Sequence, residues 1–242
     1  MAAAYEDVRY TCDGTEMHGR IYGLGAPGGS RPGVLVYPTF FGISEHTYGR
    51  AAALAELGYT AMACDLHGQG WYSGGTTEEL KTRAETLFDN TTRIRAIGQT
   101  AIDTFTARPG VDARRLASIG YCFGGQIALE LAFTGAPLAA AVAFHPSLEG
   151  VTSSNAANVR GRLLLCIGTE DPMASPEARA TFEANLKGSG IRWQMNLYGP
   201  VLHGFTEDRS AEAVSPVPVG YDEWADGDSW TAMTTLLKEV FG

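Results

Sequence analysis

The chain has little of several things, and each shortage removes a class of function. Only four of its 242 residues are cysteine, at positions 12, 64, 122 and 166. None forms a Cys-x-x-Cys pair, so neither a disulfide framework nor a structural zinc site is expected. Cys64 and Cys166 sit in apolar runs, where a thiol serves as a small core residue. No apolar stretch approaches the ~20 residues that span a bilayer. The start, Met-Ala-Ala-Ala-Tyr-Glu-Asp, lacks a basic segment and an apolar segment, so no signal peptide is expected. Basic residues are outnumbered, 18 Lys and Arg against 27 Asp and Glu, giving a formal charge of -9. That balance argues against nucleic acid or an anionic membrane as partner. No internal repeat, low-complexity linker or strand-borne Gly-x-Gly-x-x-Gly is present, and no cluster of His, Cys and carboxylates has metal-ligand spacing. A cytoplasmic protein without metal or cofactor, folded as one domain over residues 1–242, is the expectation.

What is present is a rhythm of short apolar runs and helical patterns, the signature of βαβ units around a parallel sheet. Two antiparallel strands are expected over Glu6–Thr11 and Met17–Tyr22, joined at Asp13-Gly14. Gly33–Tyr37 reads as a buried strand because Val34, Leu35 and Val36 are continuous rather than alternating. A helix over Glu45–Leu57 and a strand over Thr60–Cys64 follow. Glu78–Arg108 is helical in composition, with a break near Asn90–Thr92. Further strands are expected at Leu116–Gly120, Ala139–Phe144, Leu163–Ile167 and Arg192–Leu197. Helices are expected at Gly124–Phe133, at Ser175–Leu186 with Pro176 in its first position, and at Ser229–Phe241. Thr206–Asp228, rich in Pro, Gly and acids, reads as a long surface loop. The sum is an α/β fold with about eight mostly parallel strands and helices on both faces.

Gly120-Tyr121-Cys122-Phe123-Gly124-Gly125 lies between a short apolar strand and an amphipathic helix. This is the context of a nucleophile elbow, with Cys in place of the usual Ser. Small residues at 120 and 124 let strand and helix approach around a sharp turn, and the sulfur projects above the sheet. The helix N-terminus directed at it favours thiolate. The backbone N–H of Phe123 becomes an oxyanion donor. A phosphate-cradling loop is the rival reading, but it would end in Lys-Ser or Lys-Thr, and here Gln126-Ile127 follows.

The elbow arrangement requires an acid and then a histidine further along the chain. Asp171 ends the run Leu163–Ile167 through a turn and is followed by Pro172. Glu170 is its competitor, and the stiffened position after the strand favours Asp171. His203 follows the last strand in a loop that a neighbouring Gly204 lets swing over the sheet. His18 and His46 are not placed to meet the thiol, whereas His67 and His145 follow strand ends and can line a pocket. Cys122, His203 and Asp171 therefore form the expected triad.

At these residues the sequence resembles the dienelactone hydrolase family over nearly its whole length. The likeness includes Phe41-Gly42, the run Leu54–Tyr59, Asp65-Leu66, the Cys-bearing elbow, Gly168 with Asp171, and His203-Gly204-Phe205. The resemblance implies an α/β-hydrolase fold and a second oxyanion donor at the backbone N–H of Phe40. Two departures stand out. The family's Glu, which takes part in generating the thiolate, is replaced by Thr39, and a threonine cannot take that proton. The arginines that grip the substrate carboxylate are replaced by Gln69 and Thr206, with Glu207 beside the second. The expected substrate is then a small neutral ester or lactone, cleaved through an acyl group on Cys122. Thr39, Phe41, Trp71, Tyr72, Tyr121, His145 and Phe205 would line its pocket. Thioester hydrolysis or acyl transfer uses the same parts. A catalytically silent ligand binder or a thiol sensor is the reading from outside enzymology. The oligomeric state is not expressed in the sequence.

Overall fold

A computed structural model of the chain describes residues 4–25, 29–73, 77–87, 90–148, 153–207, 215 and 217–242. Eight strands form one sheet: β1 (Tyr5–Cys12), β2 (Thr15–Tyr22), β3 (Arg31–Tyr37), β4 (Thr60–Ala63), β5 (Val111–Tyr121), β6 (Leu138–Phe144), β7 (Arg162–Gly168) and β8 (Trp193–Tyr198). Their order is β1-β2-β4-β3-β5-β6-β7-β8. The opening hairpin is antiparallel to itself and to β4, and all the remaining pairings are parallel. Among the described residues, six α-helices accompany the sheet: α1 (Glu45–Glu56), α2 (Thr77–Glu85), α3 (Thr91–Thr106), α4 (Phe123–Phe133), α5 (Pro176–Leu186) and α6 (Glu223–Phe241).

Strand alternation sorts the core into two layers. Val34, Val36, Ala117, Ile119, Val142 and Phe144 face α1 and α6. Leu35 and Tyr37 face α3 and α4, and Ala141, Leu163 and Leu165 face α4 and α5. Helix α4 is buried along its whole length except at Gln126, as expected of a helix that is apolar on all sides. Its one acid, Glu130, is buried and is paired through one oxygen with two nitrogens of Arg95, at 3.0 and 2.9 Å. None of the helices is long and apolar enough to cross a membrane, among the described residues.

The expected elements are found, with two differences. The break expected near Asn90–Thr92 is present, and α3 starts where the Asn90 side chain accepts the N–H of Arg93. Strand β5 begins at Val111, five residues early, because its polar first half still pairs with Arg31 and Pro32 of β3. The closing helix begins at Glu223 rather than Ser229. Asp222 caps it by accepting the N–H of Ala225, and Glu223 and Asp226 lie in its first turn. Acids that read as loop are here serving a helix N-terminus. The rest of the expected loop falls partly outside the described residues.

The segment after β4 is organised by one buried carboxylate. Asp65 accepts backbone N–H groups from His18, His67, Gly68 and Gly70 at 2.8 to 3.1 Å. The three consecutive residues Gly68, Gln69 and Gly70 are left-handed, and this four-fold acceptance holds them so. Substituting Asp65→Ala would leave the buried Gly68 N–H and three partly buried donors without their acceptor. The expected loss is about 3 kcal/mol of stability, read as a lowered denaturant midpoint by circular dichroism. Asp65→Asn should lie between the two.

Candidate active site

The sharp turn between β5 and α4 places Cys122 in a conformation that side chains rarely adopt, with φ 53° and ψ -116°. Its N–H donates to the carbonyl of Phe144 at 2.9 Å, and its own carbonyl accepts from Gly125 at 3.0 Å. Glycine is required on both sides. A Cβ at Gly120 would lie 2.0 Å from the Gly124 oxygen, and one at Gly124 would lie 2.4 Å from the carbonyl oxygens of Tyr37 and Pro38. The turn can therefore close only with bare backbone at 120 and 124. Cys122 is partly exposed, while Cys12, Cys64 and Cys166 are buried. Burial raises the Cys64 thiol well above its ordinary range and pushes Cys166 up to about 12.

Asp171 closes β7 at the head of a short turn, Pro172–Ala174. One carboxylate oxygen accepts the N–H of Met173 and the other accepts from Nδ1 of His203, both at 2.8 Å. Glu170 points to solvent, and the α5 helix has its own cap in Ser175. The loop carrying His203 lies against Gly168, where a Cβ would meet the Val201 oxygen at 2.1 Å. The Cys122 sulfur lies near enough to the His203 ring to act on its charge. Burial alone would lower its pKa; the Cys122 sulfur and the bonded Asp171 carboxylate outweigh that and push it up to about 10.

A second histidine stands beside it. The His145 ring lies 5.1 Å from that of His203, edge to face, and is fully buried. Its Nε2 is 2.8 Å from the hydroxyl of Thr206. Burial first, then the neighbouring His203, His46 and Arg50, hold its pKa well below 6.5.

Phe40 is held from the other side. Nε2 of His67 donates to its carbonyl at 2.8 Å, and its ring meets Phe41, His67 and Phe123 edge-on. Gly42 forms a bridge with Tyr72, and a Cβ there would sit 2.2 Å from the Trp71 oxygen. Thr39 and Phe41 are almost wholly buried beside this junction, with Trp71 and Tyr72 more open. Two expected wall residues are placed differently. Tyr121 and Phe205 are fully buried in the core layer facing α1 and α6. Tyr121 continues the alternation of Ala117 and Ile119 and stacks on Phe144 at 4.7 Å. These two rings are a floor beneath the histidines, not a lining.

Sequence reasoning missed the contacts that tie these parts together. Arg50 of α1 donates to Asp226 of α6 at 2.5 Å and to the Thr206 carbonyl at 3.2 Å. It is separated from both by more than 150 residues, and no local pattern signals the pairing. Among the described residues no three His, Cys, Asp or Glu side chains gather as a metal site needs.

The model of the dienelactone hydrolase family matches residues 19–241. The chain belongs to the dienelactone hydrolase family. Hydrolysis of lactone or ester bonds is the chemistry that goes with that membership. A solved structure named m3DLH is 41% identical over the full length of both chains, with a TM-score of 0.91. A dienelactone hydrolase-like promiscuous phosphotriesterase from metagenomic libraries is 35% identical over the full length of both, with a TM-score of 0.93. A Salmonella typhimurium protein provisionally named a carboxymethylenebutenolidase is 26% identical over 228 residues, 90% of this chain and 80% of that one.

The neighbouring histidines should titrate in opposite directions. With a pKa raised above the unfolded value, His203 contributes stability that is complete below about 6.5 and is lost as pH rises through about 10. His145, depressed, opposes folding once pH falls below the ordinary histidine value, because the unfolded chain then binds the proton more readily. Imidazole NMR of the native protein at pH 8 should show His203 protonated and His145 neutral. Two histidines with ordinary midpoints would contradict this assignment.

Proposed function

We propose that the protein hydrolyses a neutral ester or lactone through an acyl group carried on Cys122. The observation that carries this reading is a partly exposed thiol in a left-handed turn at the head of α4, beside a histidine that Asp171 holds at 2.8 Å. In this mechanism the Cys122 thiolate attacks the carbonyl carbon, and the oxyanion is held by the backbone N–H groups of Phe123 and Phe40. The tetrahedral species collapses, and the alkoxide leaves with the proton of the His203 imidazolium. His203, now neutral, takes a proton from water as it adds to the thioester. Collapse of the second tetrahedral species returns the sulfur and releases the acid. Asp171 holds the imidazole in orientation throughout.

Four features support a neutral substrate. Thr206, at the place of a substrate-gripping arginine, is buried and bonded to His145. Gln69, at the place of the other, sits in the left-handed loop held by Asp65. Arg93 pairs with Asp13, and Arg95 with the buried Glu130. Arg83 stands nearer, over the Trp71 ring at 4.4 Å, but already pairs with Glu79. The likeness to a phosphotriesterase fits a second substrate class, since phosphotriesters are also uncharged.

Cys122→Ala should lower turnover of a chromogenic short-chain ester about a thousandfold or more, with the fold unchanged by circular dichroism. Retention of a tenth of wild-type turnover would assign the attack to another group. Iodoacetamide in limiting amount should label Cys122 ahead of Cys12, Cys64 and Cys166, read by peptide mapping.

A matched ester pair tests the charge preference. Placing a carboxylate on the acyl chain should lower kcat/KM by about two orders of magnitude, the equivalent of about 3 kcal/mol of unreplaced hydration in the transition state. Equal rates for the two esters would transfer the role of carboxylate partner to Arg83. A neutral aryl phosphotriester in the same panel measures the second class.

A further inference from the structure

The mechanism above uses one histidine, yet the structure buries two against each other. His145 ends β6, next to the elbow, in a left-handed conformation with φ 39°. Its N–H donates to the Cys166 carbonyl at the end of β7 at 2.8 Å. The backbone is thus anchored between the strands that lead to Cys122 and to Asp171. Strain of this kind persists only where the surroundings enforce it, and it gathers at functional sites.

The ring is as constrained as the backbone. Phe205 packs on it at 5.2 Å and Tyr121 at 6.2 Å, both between centroids. Nε2 is tied to the Thr206 hydroxyl, and the Thr206 carbonyl accepts from Arg50, itself fixed by Asp226. Nδ1 has no hydrogen-bond partner among the described residues. A buried imidazole with an unpaired nitrogen is a costly choice of core residue. A phenylalanine would fill the same space without that cost, so the ring's polarity calls for a use.

Among the described residues, the imidazole it packs against edge to face is His203, at 5.1 Å. The other charged or titratable groups facing it are His46 and Arg50 of α1 and Tyr121 of β5. We infer that His145, fixed by Thr206, is a positioning residue that keeps the His203 ring at the orientation from which it reaches both Asp171 and Cys122. A neutral imidazole adds no charge beside the imidazolium, and its electron-rich face or lone pair can sit against it. Thr206 then has a purpose of its own at a position where the family resemblance leads one to expect a substrate-binding arginine.

This inference rests on the triad reading, and the test keeps the two apart. Four proteins are compared: wild type, His145→Ala, His145→Gln and Thr206→Val. His145→Ala should lower kcat about ten- to a hundredfold, the cost of a slightly misplaced reacting group, with KM within about threefold of wild type. The His203 NMR midpoint should fall from about 10 toward the ordinary value near 6.5. His145→Gln, which restores an N–H donor to Thr206, should recover most of both. Thr206→Val should shift both in the direction of His145→Ala. If His145→Ala does not fold, Thr206→Val decides the question alone. A lowered Tm with an unmoved His203 midpoint and unchanged kcat would reduce His145 to a packing residue. Failure of the triad reading would appear instead as activity in Cys122→Ala, whatever the His203 midpoint does.

Discussion

Everything at the site depends on three backbone segments crossing within van der Waals contact. The end of β3, the end of β5 and the first turn of α4 meet where Gly120 and Gly124 leave no Cβ between them. That contact throws Cys122 into its left-handed turn and sets it at the head of the most deeply buried helix in the molecule. It also places Thr39 and Phe40, just beyond β3, close to Cys122. The helix behind the cysteine is held in place, because its flanks are packed on α3, β6 and β7 through two hydrophobic clusters on one face of the sheet. A strained residue needs such a frame: strain of the order of 1–3 kcal/mol survives only if relaxing it would break more than it relieves.

Around that crossing, the polar groups that are buried each organise a segment. Asp65 shapes the loop that carries His67 and Trp71 by accepting four backbone donors. His67 in turn holds the Phe40 carbonyl, and the Gly42–Tyr72 bridge joins the two loops. On the opposite side, Arg50 links α1 to α6 and to Thr206, and so to the histidine pair. The site is walled by backbone fastened to carboxylates and a guanidinium, so little of its shape depends on loop flexibility.

The parts legible in the sequence were those encoded locally. The strand–elbow–helix junction announces itself because its glycines are required within six consecutive residues. Asp171 and His203 were legible because each follows an apolar run by a fixed distance. The early start of α6 was hidden by Gly227 and by acids that serve equally in loops and at helix caps. Tyr121 was assigned to a pocket because its neighbour Cys122 faces one, but strand alternation turns it the other way, onto Phe144. The Arg50–Asp226 and His145–Thr206 contacts were illegible for a simple reason: their partners are far apart in sequence, and each residue alone resembles an ordinary surface or core position.

The Arg50–Asp226 pair joins an early helix to the last one, and chain order is also the order of synthesis. Domains form as they leave the ribosome, N-terminal parts first. Cys122 emerges long before Asp171 and His203, and Asp226 follows only near the end. Until α6 docks, Thr206 and the histidine loop have no anchor on α1. Cys122 is therefore carried through translation before His203 and Asp171 exist to contact it.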